Sequence, residues 1–269
     1  MSNPTVKALF IYPIKSCAGL AVAQLDFDAI GPCLDRRWMV VDPGGHMLTQ
    51  RVAPRLARIR PRLTGDLLVL EAPGVEPLSI PQFSDVGRVP ATVWRHSGHG
   101  WDQGEQAARW FSQVLEQPAR LLRWAEDEVR PTGRQAAGYP NRVAFADGYP
   151  LLVLSQASLD DLNSRMSTEL GVERFRPNIL VEGCVPYAED TWTEVQVSGL
   201  HIALVKPCVR CVVTTIDQAS LERGPEPLRT LARYRKTPNG VIFGQNAVHQ
   251  GPGHIRVGAA VRVLSASDS

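Results

Sequence analysis

Residues 38–45 read Trp-Met-Val-Val-Asp-Pro-Gly-Gly, and this stretch contains the pattern that decides the fold class. Four apolar residues are followed at once by turn formers, which is typical of a short buried strand that ends in a tight turn. Similar apolar runs lie at 8–12, 67–71 and 92–94, and a further turn signal lies at 64–66. Strands this short and this closely spaced predict a small β-barrel or a curled sheet in the first hundred residues.

A helix is predicted after these strands, over residues 105–115. Ala108, Phe111 and Leu115 lie at helical spacing, so they form one apolar face. Pro118 ends the pattern, because proline cannot continue a helix.

A domain boundary is expected near Pro118, which gives a β-barrel-like domain at residues 1–118 and a second domain at residues 119–269. In the second domain Ser155 can cap a helix, and another short helix begins near Pro227. The apolar face of the first of these helices is predicted to be Leu159, Leu162, Met166 and Leu170. The apolar runs that predict strands are 151–154, 179–182, 202–205, 211–216, 241–243 and 261–264. Many strands with a few helices indicate an α+β or mainly β fold.

The overall charge excludes some broad functional classes. The 29 basic and 27 acidic residues nearly balance, so the net charge of +2 does not mark the chain as a nucleic-acid or membrane-surface binder. The apolar run at 8–12 is too short for a secretion signal, and no run approaches the ~20 apolar residues of a membrane span. We therefore expect a cytoplasmic protein. The five cysteines are an odd number at irregular spacing, which argues against a disulfide framework.

The strongest local motif is Cys208-Val-Arg-Cys211, which leaves several interpretations open. It could be half of a zinc site, although the other three cysteines are scattered and no histidine lies at ligand spacing. It could be a redox pair, although such a motif should open a helix and the β-branched run at 212–216 predicts a strand. Both cysteines could be structural, or one could bind a soft metal. Arg210 tilts the choice toward a working Cys211, because a nearby cation favours the thiolate form.

Two further segments carry groups that suit an anion. Lys15 and Ser16 follow the point where the first strand ends, so an ammonium, a hydroxyl and free amides are close together. This set suits a phosphate, and it equally suits a solvated turn. Arg36 and Arg37 open the next strand and should point to opposite faces. An inward-facing guanidinium there would need a bound anion or an internal salt bridge.

A third segment surrounds Pro177. Arg176 and Asn178 have the same parity, so they could share one face at the start of a strand. Together they could bind a phosphate or the edge of a heterocycle, or simply satisfy carbonyl groups of the loop.

These segments belong to a larger ordered set. The six are Y-P-I-K-S-C-A-G at 12–19, D-R-R-W at 35–38, L-S-Q-A-S-L-D-D-L-N at 154–163, R-F-R-P-N-I at 174–179, C-V-R-C-V-V-T-T-I-D at 208–217 and F-G-Q-N at 243–246. In this order and at this spacing the chain resembles the MOSC proteins that carry an additional N-terminal β-barrel domain. That group includes the mitochondrial amidoxime-reducing component and its bacterial relatives. The resemblance covers residues 8 to about 264 and implies a MOSC β-barrel with a few peripheral helices in the second domain.

The resemblance also implies a cofactor site. Cys211, the second cysteine of the motif, would bind the metal of a molybdenum–molybdopterin cofactor. The pterin phosphate would be held by Lys15, Ser16 and Arg36. The remainder of the cofactor would be held by Arg176, Asn178, Val209 and Arg210. Asp147 and its neighbour Gly148 match an acidic segment close to the cofactor, where Asp147 or solvent would supply protons. Asn246 matches a nearby position that varies among relatives.

The function implied by the resemblance is a two-electron reduction of the N–O bond in small N-hydroxylated compounds. Amidoximes, hydroxylamines and hydroxylated nucleobases are the expected substrates. The sequence has neither a four-cysteine cluster motif nor a dinucleotide-binding glycine motif. Electrons are therefore expected from a separate iron–sulfur or haem protein with its reductase, and no nucleic-acid or membrane partner is expected. The alternative is a carrier of sulfur or of the molybdenum cofactor, with a persulfide on Cys211, because related MOSC domains are fused to cofactor sulfurases.

Overall fold

The computed structural model describes residues 4–84 and 86–267, and this part of the chain consists mainly of short strands. The strands of the first half are β1 (Thr5–Ile11), β2 (Leu20–Val22), β3 (Gln24–Phe27), β4 (Trp38–Val41), β5 (Arg60–Thr64), β6 (Leu67–Ala72), β7 (Val75–Pro81), β8 (Arg88–Val93), β9 (His96–Asp102) and β10 (Arg120–Trp124). Those of the second half are β11 (Leu151–Ser155), β12 (Ile179–Glu182), β13 (Trp192–Val197), β14 (Leu200–Val209), β15 (Lys236–Thr237), β16 (Gly240–His249), β17 (Gly253–Arg256) and β18 (Val261–Ala266). The helices are α1 (Gly104–Leu115), α2 (Gln156–Ser164) and α3 (Leu228–Leu231). The predicted α+β, mainly β fold class is confirmed.

The largest sheet joins strands from both ends of the chain. Its nine strands follow the order β18-β13-β14-β16-β11-β12-β1-β2, with β15 paired to β16. The pairs are antiparallel except for β11 with β12, and β1 is placed by the register Leu9 opposite Ile179. The loop after β1 therefore lies at one end of a sheet whose strands come mostly from the second half of the chain.

The other strands form three smaller sheets. Their orders are β4-β10-β9-β8, β5-β6-β7 and β17-β3. Strands β1 and β3 therefore pair with strands of the second half and β2 pairs with β1, whereas β4 to β10 pair among themselves. Pro118 lies between α1 and β10, and the domain boundary near it stays a prediction.

Strand β4 is buried on both faces, which explains its uninterrupted apolar run. Trp38 and Val40 face one core cluster, where they lie with Phe111 of α1. Met39 and Val41 face a second cluster on the opposite side of the strand. Because successive side chains alternate between faces, each apolar residue of this strand meets its own core.

The helix predicted at 105–115 is confirmed, and the helix predicted after Ser155 is shorter than expected. The Ser155 hydroxyl oxygen accepts a hydrogen bond from the Ser158 amide at 3.1 Å, so it caps α2 as predicted. That helix ends at Ser164, so Met166 and Leu170 lie beyond it. Both still pack against the same core cluster from the following loop.

The strand predicted at 211–216 was wrong. Residues Val212–Thr215 form a 3₁₀ turn, and Cys211 occupies its N-cap position. The hydroxyl groups of Thr214 and Thr215 donate to the carbonyl oxygens of Cys211 and Val212, at 2.9 and 2.8 Å. These local bonds to the backbone compete with pairing in a sheet and outweigh the strand preference of the β-branched side chains.

Across residues 4–84 and 86–267, the helices are too short or too polar to cross a membrane.

Candidate functional site

One cavity gathers all of the site residues predicted from the sequence. Its walls contain Lys15, Ser16, Arg36, Asp147, Gly148, Arg176, Asn178, Val209, Arg210, Cys211 and Asn246. These residues come from segments up to 231 positions apart, from position 15 to position 246. The structure therefore brings the whole set together, and the role of each residue in binding or catalysis stays a prediction.

Neighbouring strands of the nine-stranded sheet position most of this set. Lys15 and Ser16 follow β1, Asp147 precedes β11, and Arg176 precedes β12. These three strands are adjacent in the sheet, with β1 antiparallel to β12 and β12 parallel to β11. The end of β1 and the starts of β11 and β12 therefore meet at one edge. The adjoining strands β14 and β16 carry the cysteine motif and Asn246 into the same cavity.

The buried carboxylate of Asp35 connects the segments that meet at this edge of the sheet. Asp35 is 5% exposed and accepts hydrogen bonds from Arg36 Nη1 at 2.7 and 2.8 Å and from the Tyr12 amide at 2.8 Å. Asn178, 1% exposed, donates to Asp35 at 3.1 Å and to the Phe10 carbonyl oxygen at 3.2 Å. Its amide oxygen accepts from Arg36 Nη1 at 3.2 Å. These bonds fix the loop after β1, the segment before β4 and the start of β12 relative to one another.

Arg36 and Arg37 do point in opposite directions, although neither lies in the strand. Arg36 has a φ of +48° and lines the cavity, whereas Arg37 pairs with Asp28 through two bonds of 2.7 Å outside it. Ser16 and Arg176 also have positive φ angles, of +69° and +58°. Non-glycine residues rarely adopt this conformation, and such strained positions concentrate at functional sites.

Two guanidinium groups flank a single aromatic ring. Arg36 and Arg176 lie 4.3 and 4.2 Å from the centre of the Tyr12 ring. Burial and, after it, the neighbouring charge of Arg36 lower the pKa of Arg176 to about 10. A bound anion would relieve this repulsion.

The cavity as a whole carries an excess of positive charge. Its lining contains a single carboxylate, that of Asp147, against six cationic side chains. The six are Lys15, Arg36, Arg51, Arg174, Arg176 and Arg210. Arg210 donates to the Phe175 carbonyl oxygen at 2.7 Å and to Cys208 Sγ at 3.0 Å. Its Nε is buried without an acceptor in the described part of the chain. A polyanionic ligand is the chemical class that such a lining fits.

Lys15 and Asp147 form an ion pair where the cavity opens. Lys15 Nζ donates to Asp147 Oδ1 and, at 2.9 Å, to the Phe145 carbonyl oxygen. Burial lowers the pKa of Lys15, and Asp147 opposes this shift. Arg130 holds the segment in place by donating to the carbonyl oxygens of Ala144, Ala146 and Asp147.

Neighbouring groups determine the ionisation state of the Asp147 carboxyl group. Loss of solvation acts to raise its pKa, but the Lys15 ammonium, its hydrogen bond and the Trp94 indole act more strongly to lower it. The net pKa lies well below the ordinary value, so Asp147 is ionised at neutral pH. An ionised carboxylate accepts a hydrogen bond readily and is a weak source of protons.

Three of the five cysteines lie at or near the cavity. Cys208 and Cys211 line the cavity, whereas Cys17 is fully buried behind it. The motif does not open an α-helix, because Cys208 lies in β14 and a four-residue 3₁₀ turn follows Cys211. The cation beside the motif contacts Cys208 through its guanidinium, so Cys208 takes part in positioning Arg210.

Several residues in the cavity were missed by the sequence analysis. Gln50 is 1% exposed and donates through Nε2 to the Ser16 carbonyl oxygen at 2.6 Å, which fixes the loop after β1. Arg174 bonds to the Thr214 carbonyl oxygen and to Asp217, and so connects the turn after Cys211 to the start of β12. Arg174 stands first in the R-F-R-P-N-I motif, which indicated no role for it, and no spacing or composition marks Gln50, because each role depends on a contact between distant segments.

Comparisons with known proteins match both halves of the chain. The family described as the MOSC N-terminal beta barrel domain matches residues 3–118, and the MOSC domain matches residues 140–262. Mitochondrial amidoxime-reducing component 1 of Mus musculus is 38% identical, covering 97% of this chain and 82% of that protein. The Homo sapiens protein of the same name is 36% identical, covering 97% and 83%. Mitochondrial amidoxime reducing component 2 of Rattus norvegicus is 35% identical, covering 96% and 82%.

We predict that iodoacetamide at pH 8 modifies Cys208 and Cys211 long before it modifies Cys17. Burial raises the pKa of Cys17 to about 12, so only about one in ten thousand of its thiols is ionised at that pH. Protein from a host that cannot make molybdopterin would be alkylated and mapped by mass spectrometry over time, with a urea-unfolded sample as the control. Equal rates at Cys17 and Cys211 in the folded protein would contradict this packing.

Proposed function

Because this chain belongs to the family of two-domain MOSC proteins that includes the mitochondrial amidoxime-reducing components, we propose that it is a molybdenum-cofactor-dependent reductase of N-hydroxylated compounds. The observation that carries the proposal is the coincidence, in one cavity, of the cationic side chains of Lys15, Arg36 and Arg176 with a thiol that lines the wall. The first feature suits a phosphate and the second suits a soft metal.

The residues present fit a phosphorylated pterin. Lys15 uses two of its three ammonium donors within the protein, so one remains for a ligand. Arg36 and Arg176 both contact the Tyr12 ring and repel one another, and a phosphate bound beside them would lower that repulsion. The Ser16 hydroxyl lies on the same loop as Lys15. Arg176, Asn178, Val209, Arg210 and Asn246 would hold the remainder of the cofactor, and Gly148 leaves room for it, since a Cβ there would meet no heavy atom within 4 Å.

The thiol of Cys211 would be the protein ligand to molybdenum. Cys211 ends the segment after β14, and the 3₁₀ turn that follows fixes its backbone through the Thr214 amide and hydroxyl, which both donate to the Cys211 carbonyl oxygen. When bound, the cofactor supplies the two-electron chemistry that breaks the N–O bond. The side chains of the protein position the substrate and form hydrogen bonds with it where the cavity opens.

We assign Asp147 a positioning role in this reaction. Its ionised carboxylate is exposed over 69% of its side chain and is held by Lys15 and the Trp94 indole. It can therefore accept a hydrogen bond from the N–H or O–H group of an amidoxime or hydroxylamine. Breaking the N–O bond with two electrons consumes two protons and releases water, and both protons would come from solvent, because the pKa of Asp147 is too low for it to act as the acid at neutral pH.

Electrons would reach this site from a separate iron–sulfur or haem protein and its reductase. The sequence contains no four-cysteine cluster motif and no nucleotide-binding glycine motif. The surplus of arginine at the cavity suits a transient complex with an acidic carrier, which would make turnover sensitive to salt.

Replacing Cys211 should abolish activity, whereas replacing Cys208 should be much milder. Cys211→Ser removes the thiolate, but Cys208→Ser keeps an oxygen that can accept the bond from Arg210. Benzamidoxime reduction and molybdenum content would be measured for both variants. Equal loss in the two, with a disulfide between these cysteines in the parent protein, would support a redox pair instead.

Arg36→Lys should lower cofactor retention while leaving turnover per bound molybdenum nearly unchanged. Lysine preserves the charge beside Asp35 but loses the forked donor group, so retention should fall by about tenfold. The matched control is Arg37→Lys, the same change one position along, where the partner is Asp28 outside the cavity. Molybdenum and pterin per mole of protein would be measured after gel filtration. Equal occupancy in both variants would place the phosphate elsewhere.

The purified, molybdenum-loaded chain should reduce benzamidoxime with a reduced viologen and fail with NADH alone. Addition of a small iron–sulfur or haem protein and its reductase from the same organism should restore the NADH reaction. Rapid NADH oxidation by the chain alone would contradict the requirement for a carrier. A fully loaded sample that shows no N–O reduction with the viologen would instead favour the carrier of sulfur or cofactor, with a persulfide on Cys211.

A further inference from the structure

Arg51 differs from the other five cations of the cavity. Each of those donates to a protein acceptor: Lys15 to Asp147, Arg36 to Asp35, Arg174 to Asp217, Arg176 to the Cys17 carbonyl oxygen and Arg210 to the Phe175 carbonyl oxygen. Within residues 4–84 and 86–267, the guanidinium of Arg51 has no such acceptor. Arg51 lines the cavity.

Trp94 is the surface against which Arg51 rests. The Arg51 guanidinium lies 4.8 Å from the centre of the Trp94 ring, within the range of a cation–π interaction. An arginine that packs on an aromatic ring still has the donors at its edge available for a carboxylate. The contact therefore orients Arg51 without occupying its hydrogen-bonding capacity.

The backbone holds Trp94 in an uncommon position. It lies at the tip of the β8–β9 hairpin with a φ of +56°, which is strained for a bulky residue. The indole N–H donates to Asp147 Oδ1 at 3.1 Å, which ties the hairpin to the mouth of the cavity. The side chain nevertheless remains 43% exposed, so part of the ring is available to a ligand.

We propose that Arg51, held against Trp94, is a specificity-determining residue that binds a carboxylate on the substrate. This inference rests on the proposed reductase function and names the substrate class: planar aromatic N-hydroxylated compounds that carry a carboxylate group. The carboxylate accepts two bonds from the forked guanidinium, and the aromatic part packs on the exposed portion of Trp94. Asp147 lies near enough to attract the Arg51 charge, but its carboxylate is paired with Lys15 and accepts no hydrogen bond from Arg51, so the donors of Arg51 stay available.

Arg51 lies near the predicted phosphate site but belongs to a different segment. Lys15 Nζ is 5.7 Å from the centre of the Trp94 ring, and Gln50, the neighbour of Arg51, donates to the Ser16 carbonyl oxygen. Lys15 and Arg36 are held by the carboxylates of Asp147 and Asp35, whereas the Arg51 guanidinium has no protein acceptor within residues 4–84 and 86–267. We therefore expect loss of Arg51 to weaken binding of the anionic substrate and to leave the cofactor held by Lys15, Ser16 and Arg36.

The test compares two non-reducible probes, 4-carboxybenzamide and benzamide, by isothermal titration calorimetry of the molybdenum-loaded protein. Arg51→Gln should weaken binding of 4-carboxybenzamide about tenfold or more and change the Kd of benzamide less than about twofold. Arg55→Gln, an exposed arginine outside the cavity, is the matched control and should bind both probes like the parent. Arg51→Lys should give an intermediate loss, because it keeps the charge without the fork.

Three outcomes would overturn the proposal: no measurable binding of 4-carboxybenzamide by the parent protein, equal weakening of both probes by Arg51→Gln, or loss of molybdenum from that variant. Kinetics with benzamidoxime and 4-carboxybenzamidoxime then test the two ideas separately. A raised KM for the carboxylated compound alone, with kcat unchanged, supports the role of Arg51. Failure of the loaded protein to reduce either compound would count against the reductase function and leave the binding result intact.

Discussion

The buried carboxylate of Asp35 is the interaction on which the cavity depends. A carboxylate that is 5% exposed must be compensated, and here it receives the Arg36 guanidinium, the Tyr12 amide and the Asn178 side chain. Removing any one partner would leave a buried charge that is only partly satisfied. The same hydrogen bonds connect three segments that are far apart in sequence. Because the buried carboxylate must keep these bonds, it fixes the relative positions of the three segments.

The charged groups around Asp35 suit a bound anion and lower the stability of the protein without one. Arg36 and Arg176 lie on one aromatic ring, and the Nε of Arg210 has no acceptor in the described part of the chain. Each feature destabilises the protein without a bound anion, since like charges repel and buried donors lose their hydration. Like charges in close contact and unpaired buried donors are common at functional sites, where a bound ligand compensates for them. Binding a polyanion would therefore also stabilise the folded state.

Local patterns in the sequence were sufficient to predict most elements. The runs at 38–41 and 179–182 appear as β4 and β12 with the same bounds, because continuous apolar residues between turn formers have few alternatives. The turn after Cys211 was missed, because two threonine hydroxyls bond back to the chain and this competition depends on detailed geometry. Strand order could not be read from periodicity either, so nothing in the sequence indicated that β1 lies between β2 and β12.

The candidate site shows the same division between local and long-range information. Resemblance in six ordered motifs identified eleven residues that the structure gathers into one cavity. The motifs did not indicate Arg51 and Trp94, because neither residue belongs to a motif and their contact joins positions 43 residues apart. Motifs record the part of a site that binds what a family shares, which here is the proposed cofactor. The part that selects one substrate from another need not follow any shared pattern. Only the folded structure shows that Arg51, whose guanidinium has no acceptor among the described residues, meets a strained tryptophan beside Asp147.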